Sequence, residues 1–147
     1  MSDVQALLEG EYGEGAYGPT IMLIVPNVAG IVCLRSIFER LASSPDGFTI
    51  RLGEERGVVL NAALWALTLR VVDNVRSRHL THDEHGGFEW VGTQAEWRTM
   101  SQLIEPLLHR RGHHYLTSEI DDDALVELSH AEPFRRPDAQ RRADEDE

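Results

Sequence analysis

Lysine is absent from this chain of 147 residues, and all 14 of its basic residues are arginine. Because lysine is normally among the commonest residues, the absence needs a cause. Two causes stay open: the codon bias of a GC-rich genome, and selection against modification directed at amines, which targets lysine. Against the arginines stand 25 acidic residues, for a formal net charge of −11. We therefore expect a small, acidic and soluble protein.

Cysteine and long apolar runs are also scarce. Cys33 is the only cysteine, so no disulfide can form within the chain, which fits a reducing cytoplasm. Apolar runs such as 21–25 are too short to cross a bilayer. The acidic, glycine-containing start lacks the basic region and apolar centre of a signal peptide. These absences predict a cytoplasmic protein without a membrane segment.

The shortage of positive charge restricts the expected partners. A chain this acidic is repelled by nucleic-acid backbones and by anionic lipid surfaces. It also has no basic patch with interleaved aromatic residues, so we expect neither nucleic-acid binding nor membrane binding. The expected macromolecular partner is a basic protein.

Composition divides the chain into three parts. Residues 1–19 are rich in glycine and acidic residues, and we expect an arm that is flexible or loosely docked through its tyrosines. Residues 20–132 carry the apolar patterns and are expected to form a single domain. Residues 133–147 have no apolar periodicity and are expected to be disordered.

Apolar spacing predicts two helices among several strands. Asn27 is positioned to cap a first helix that begins at Val28, and the Thr93–Glu96 capping box predicts a second helix that ends near Arg110. The predicted strands are 20–25, 48–52, 58–72, 75–81, 88–91 and 124–129, with a short extended segment at 113–117. As an alternative, a break near Asn61 divides 58–72 into two strands. This order indicates an α+β two-layer sandwich, with a mostly antiparallel sheet and two helices packed on one face.

Three tryptophans lie in the central region and are expected to mark the core. Within 58–72, alternation places Trp65 on one face of the predicted strand. We expect the apolar stripes of both helices to pack on that face.

The histidines suggest a metal site as one alternative. His79, His82 and His85 are spaced three apart, and Asp83 and Glu84 stand between the last two. Imidazoles with nearby carboxylates are competent ligands for zinc or a similar divalent metal. The candidate ligands are His79, His82, His85, His113 and His114. Because residues three apart on a strand point to opposite faces, a polar hairpin tip explains the same pattern more simply.

Catalytic motifs are missing from the sequence. No nucleophile elbow, phosphate-binding loop or dinucleotide fingerprint occurs. No serine or threonine is singled out as a nucleophile beside an oriented histidine. The sequence therefore favours a protein that is not an enzyme.

A dense run of acidic residues precedes the last strand. Its spacing lacks the alternating ligands and glycine of a calcium loop. A solvated turn explains the run without a function. The functional alternative is a negative patch that speeds association with a basic partner by electrostatic steering. The candidate partner-binding residues are Glu119, Asp121, Asp122, Asp123, Asp83, Glu84 and, as an aromatic anchor, Tyr115.

Two resemblances bear on function. The run Gly112-His113-His114-Tyr115-Leu116, followed by Asp122-Asp123-Ala124-Leu125-Val126, Ser129 and Glu132, resembles the C-terminal signature of a family of small bacterial proteins, G-H-x-Y-L…D-D-A-L-V-x-x-S-x-x-E. This resemblance extends over about residues 20–132, and it implies neither an activity nor a site. In size and acidity the chain also resembles the immunity proteins of bacterial toxin systems. That likeness implies an inhibitor that occludes a basic partner such as a toxin or nuclease.

Three functions stay open from the sequence. The leading one is a non-enzymatic interaction protein of the inhibitor or immunity type. The second is a metal-binding protein or metal-dependent enzyme that uses the histidines. The third is a structural subunit of a bacterial assembly, defence assemblies included.

Overall fold

The computed structural model describes residues 6–15, 18–75, 78–83, 87–117 and 122–130. These residues form nine strands and two α-helices, and five of the strands lie between the two helices in the chain. The elements are β1 (Leu8–Gly15), β2 (Gly18–Val25), α1 (Val28–Ala42), β3 (Thr49–Arg51), β4 (Val58–Leu60), β5 (Thr68–Val71), β6 (Leu80–Asp83), β7 (Gly87–Gly92), α2 (Gln94–Leu103), β8 (Gly112–Tyr115) and β9 (Leu125–His130).

The strands form two mixed sheets. One has five strands in the order β4-β1-β2-β9-β8, and the other has four in the order β3-β5-β7-β6. Parallel pairs join β1 to β4, β2 to β9 and β5 to β7, and the other neighbours run antiparallel. The predicted α+β sandwich is confirmed. Its strands are divided between two sheets, and the parallel pairs make both sheets mixed.

Helix α1 begins and packs as its sequence pattern predicts. The side chain of Asn27 accepts a hydrogen bond of 3.0 Å from the backbone N–H of Ala29, which satisfies one of the free donors at the helix start. The residues at helical spacing, Ile31, Leu34 and Phe38, are fully buried. Each such burial stabilises the fold by about 2 kcal/mol.

Helix α2 has the predicted capping box but ends earlier than predicted. The hydroxyl of Thr93 accepts from Glu96 N–H at 3.1 Å, and the Glu96 carboxylate accepts from Thr93 N–H at 2.9 Å. The α-helix ends at Leu103, and a 3-10 turn follows over Glu105–Leu108. Pro106 explains the early end, since it lacks an N–H and its ring excludes a carbonyl one turn back. Neither helix of the described chain is both long and apolar enough to span a membrane.

An aromatic cluster fastens α1, β7 and α2 together. The Phe38 ring centroid lies 5.8 Å from that of Trp90 and 5.6 Å from that of Trp97, and the two tryptophans are 5.1 Å apart. The indole N–H of Trp97 donates to the Arg70 carbonyl at 3.2 Å, so its one polar atom is paired. Trp90 and Trp97 therefore belong to the core, as predicted.

The prediction for Trp65 is wrong. Its side chain is 61% exposed, and the guanidinium of Arg51 lies 5.6 Å from its ring centroid. The predicted strand 58–72 is interrupted by a 3-10 turn at Ala62–Leu64, which changes the period, so that Leu64 and Leu67 are buried instead. The predicted strand 75–81 is also shorter, because β6 begins only at Leu80.

The prediction of a flexible arm does not hold for residues 8–15. They form β1, which lies between β4 and β2, and Leu8 is fully buried. Gly10 fits a crowded place, since a Cβ there would lie 2.6 Å from the Leu60 side chain. Glycines that suggested flexibility therefore permit close packing. The rest of the arm, apart from 6–7 and 18–19, and the predicted disordered tail 133–147 lie outside the described residues.

At Gly30, helix α1 lies very close to the five-stranded sheet. A Cβ at Gly30 would collide with the Leu7 carbonyl oxygen and would lie 2.7 Å from the Cβ of Val25. Gly30→Ala should lower the free energy of unfolding by about 1–3 kcal/mol, because overpacking outweighs the better helix propensity of alanine. Urea unfolding followed by circular dichroism measures the change.

The matched control is Ser36→Ala, at an exposed position of the same helix. There the gain in helix propensity should stabilise the protein slightly. Stabilisation by Gly30→Ala of the same size as the control would show that α1 does not approach the sheet this closely.

Candidate functional site

The five-stranded sheet has one covered face and one open face. On the covered side, Ile21, Leu23 and Val25 of β2 are buried in register with Val126 and Leu128 of β9. Helix α1 packs on this side, where Gly30 meets Val25, and α2 packs on α1. Since alternate residues of a strand point to opposite faces, the remaining residues of these strands point away from both helices.

The remaining residues align across the strands in two rows. The first row runs Val59, Glu9, Ile24, Ser129, His113, and the second runs Glu11, Met22, Glu127, Tyr115. We call these nine residues the open sheet face. Val59 is 56% exposed and Tyr115 is 38% exposed. The face therefore combines exposed apolar groups with carboxylates.

The carboxylates of the open sheet face are not balanced by arginines of the same strands. It carries Glu9, Glu11 and Glu127, and none of the strands β1, β2, β4, β8 and β9 contains an arginine. Two shallow cavities of ≈ 240 Å³ and ≈ 230 Å³ lie along β1, and Glu11 lines both of them. The first also contacts Ile24 and Val59, and the second contacts Met22. Apolar floors with acidic walls suit cationic side chains that have long apolar stems.

Two of the predicted partner-binding acids have internal roles. Asp122 Oδ1 accepts from the backbone N–H groups of His79 at 2.7 Å and Leu80 at 3.0 Å, while its Oδ2 is buried without a hydrogen bond among the described residues. Asp123 accepts from the guanidinium of Arg78 at 2.6 Å and from His82 N–H at 2.8 Å. These carboxylates fasten the start of β6 to the segment before β9, so they hold the fold together.

The other predicted partner-binding residues are dispersed. Tyr115 lies on the open sheet face, where its ring centroid is 6.3 Å from that of His113. Asp83 is exposed at the end of β6, away from that face, and has an interaction of its own. Glu84, Glu119 and Asp121 lie outside the described residues.

The histidines are held by different partners. His79 Nε2 lies 2.9 Å from Glu96 Oε2, whereas the ring of His82 stacks on Phe88 with 4.0 Å between centroids. His113 and His114 alternate along β8 and point to opposite faces. His85 lies outside the described residues, and within the described chain no three His, Cys, Asp or Glu side chains form a group able to hold a metal. The zinc site stays a prediction.

The open sheet face was missed because its acids are far apart in sequence. Glu9 and Glu11 were assigned to a flexible arm, and Glu127 to the last strand. The alternation of Leu8, Gly10 and Tyr12 with Glu9 and Glu11 is the signal that indicates a strand with one acidic face. The partner strand of that face is set by the parallel pairing of β2 with β9, which local pattern does not reveal.

No protein-family model, curated protein or solved structure matches the chain. The bacterial family signature and the likeness to immunity proteins therefore stay expectations from the sequence. The functional interpretation rests on the geometry and charge of the described residues.

Asp122 provides a test that separates a structural acid from a surface acid. Asp122→Ala should lower the free energy of unfolding by about 1–3 kcal/mol, because it leaves two backbone N–H groups without their acceptor. Glu11→Ala, an exposed acid of the open sheet face, should change it by less than about 0.5 kcal/mol. Urea unfolding of both variants measures the difference. Equal, small effects would show that Asp122 does not anchor β6.

Glu96 gives the stability a dependence on pH. Partial burial alone raises the pKa of the Glu96 carboxyl, but hydrogen bonds with His79 and Thr93 outweigh it and leave the pKa below its ordinary value. A carboxyl with a lowered pKa stabilises the fold above its unfolded-state pKa, and this contribution is lost as pH falls through the folded-state pKa.

Glu96→Gln keeps the capping geometry and removes the titration. The variant should therefore lose less stability than the parent protein on acidification from pH 6 to pH 3. The difference should be below about 1 kcal/mol, because the pair is partly exposed to solvent. Thermal unfolding across this pH range measures it, with Glu11→Gln as the control. Parallel pH profiles for Glu96→Gln and the parent would contradict the assignment.

Proposed function

We propose that the chain is a non-enzymatic interaction module whose open sheet face binds a basic protein. The observation that carries the proposal is the separation of the two sheet faces: one is covered by α1, and the other presents three glutamates and exposed apolar side chains. Carboxylates around apolar groups form a surface complementary to arginine- and lysine-rich proteins.

Charge and apolar contacts have separate roles in the proposed binding. Glu9, Glu11 and Glu127 attract a cationic partner and speed its encounter. Salt weakens this attraction, because at physiological ionic strength exposed charges more than about 8 Å apart are largely screened. Val59 and Tyr115 then bury apolar surface, which slows dissociation. Tyrosine is favoured in such positions because its ring contributes contact area and its hydroxyl tolerates water.

The dimensions of the face suit a protein partner. At a strand spacing of about 4.8 Å, the five strands span about 19 Å between the outermost strands. A stable interface buries about 800 Å² on each partner, so contacts extend beyond the nine residues to their rim. The proposed mechanism is occlusion: the acidic face covers a basic active or binding surface, as an inhibitor or immunity-type protein does.

The acidic binding surface proposed here is the open sheet face and not the acidic run at 121–123 that the sequence suggested. Asp122 and Asp123 already satisfy backbone N–H groups and Arg78 within the chain. Removing their charge would disturb the fold and the binding together. Glu9 and Glu11 are exposed, so their neutralisation changes binding without that complication.

A site-specific cross-link identifies the partner and locates the surface in one experiment. A photoreactive benzoylphenylalanine replaces Val59 on the open sheet face, and a control protein carries it at Ser36 on the exposed side of α1. We expect a basic protein to cross-link in host lysate from position 59 only. The same product from both positions, or a second copy of this chain as the product, would contradict the proposal.

The kinetics with that partner test the role of charge. Glu9→Gln with Glu11→Gln should reduce the association rate about fivefold to tenfold at low salt and flatten its salt dependence. The control removes two carboxylates elsewhere, with Glu39→Gln and Glu54→Gln, which also keeps the net charge equal. Surface plasmon resonance over a range of salt concentrations measures both rates. Equal slowing by the two double variants would show that only the net charge matters.

A further inference from the structure

A cavity of ≈ 600 Å³ opens at the start of α1 and at the end of β9. Asn27 and Val28 of the helix start line it, together with His109, Arg110, Arg111 and His130. Its size is in the range of small-molecule sites. It lies on the covered side of the five-stranded sheet, since His130 is in register with Val25. The cavity is thus distinct from the open sheet face.

The charge of this cavity is opposite to that of the whole chain. Of the described residues, two arginines and two histidines line it and no aspartate or glutamate does; Arg111 also has an interaction of its own, which leaves Arg110 as the cation on which the argument depends. The chain as a whole has a formal net charge of −11. At physiological ionic strength, solvent ions screen exposed carboxylates that lie more than about 8 Å away. The nearby cations therefore decide the local potential. The cavity therefore attracts anions.

His130 presents a defined polar atom to the cavity. The residue is only 7% exposed, and its Nδ1 lies 2.9 Å from the Leu107 carbonyl oxygen and 3.3 Å from that of Arg110. Because carbonyl oxygens only accept, Nδ1 carries a proton, which leaves Nε2 as the second functional atom. Among the described residues, the hydrogen bonds of the His130 ring are both made by Nδ1 and none by Nε2. Since His130 lines the cavity, Nε2 is the atom it offers to a ligand.

The start of α1 adds a second source of positive potential. The helix has 15 residues, and its aligned peptide dipoles place about half a positive charge at its N-terminal end. Backbone N–H groups at such an end bind phosphate oxygens well. Val28, the first helical residue, lines the cavity, so this end faces the same space as the arginines.

We propose that this cavity binds the phosphate group of a small phosphate monoester. Arg110 supplies planar donors that match two phosphate oxygens. Val28 N–H supplies a backbone donor for a third, since the N–H groups of Ala29 and Gly30 already bind Asn27. The P–OH group of a phosphate monoanion donates a hydrogen bond to His130 Nε2, which is an acceptor because Nδ1 carries the ring proton. The site is independent of the proposed protein partner.

Inorganic phosphate is the probe for the test. The full chain, labelled with ¹⁵N, is titrated at constant ionic strength, and the amides of 27–30 and 107–111 and the His130 imidazole are followed by NMR. The proposal expects saturable shifts confined to these groups. Arg110→Gln should weaken phosphate binding about tenfold or more, since hydrogen bonds to charged groups are the stronger ones. Arg56→Gln, which removes an exposed arginine outside the cavity lining, should leave the affinity unchanged.

Parallel titrations with acetate at the same ionic strength separate phosphate from carboxylate recognition. Acetate binding as tight as phosphate would overturn the assignment of the ligand class, as would shifts that do not saturate. Equal affinities of Arg110→Gln and the parent would overturn the site itself. Because Arg110 is exposed, its variant is expected to fold, and an unchanged amide spectrum away from the cavity verifies this. His109→Gln is a second variant at an exposed position and should weaken phosphate binding in the same direction.

Discussion

The packing of α1 between the two sheets is the interaction on which the other features depend. Gly30 lets the helix approach Val25 of the five-stranded sheet, and Phe38 packs on Trp90 of the four-stranded sheet and on Trp97 of α2. One helix thus covers the inner side of both sheets. Because the apolar side chains of β2 and β9 are buried on that side, the glutamates lie on the opposite face of the sheet. The start of the same helix also forms one wall of the basic cavity.

Local rules predicted the helices and failed where packing decides the structure. The Asn27 cap, the Thr93–Glu96 capping box and the helical apolar spacing are set by neighbours within one turn, and these predictions are confirmed. Strand β1 was missed because its glycines resemble a flexible segment, although Gly10 is there to admit Leu60. Trp65 was misplaced because the 3-10 turn before it changes a period that alternation alone takes as constant.

The candidate site shows the same division between local and long-range information. Acids adjacent in sequence attracted the prediction, yet Asp122 and Asp123 bind backbone N–H groups within the fold. The acids that share a face, Glu9 and Glu127, are brought together by β2, which pairs with β1 on one side and β9 on the other. The sequence predicted an acidic surface at 119–123 with Tyr115 as its aromatic anchor, whereas the glutamates of the open sheet face are brought together by strand order. A pairing between distant strands leaves no local mark on either of them.

Strand β9 explains how one acidic chain can hold surfaces of opposite charge. Its residues alternate, so Glu127 points to the open sheet face while His130 points to the cavity beside Arg110. The sheet itself separates the two, and solvent ions screen charges beyond about 8 Å. Each surface is therefore governed by its nearest groups. A net charge of −11 describes the potential of the chain at long distances, but it does not set the potential at the start of α1.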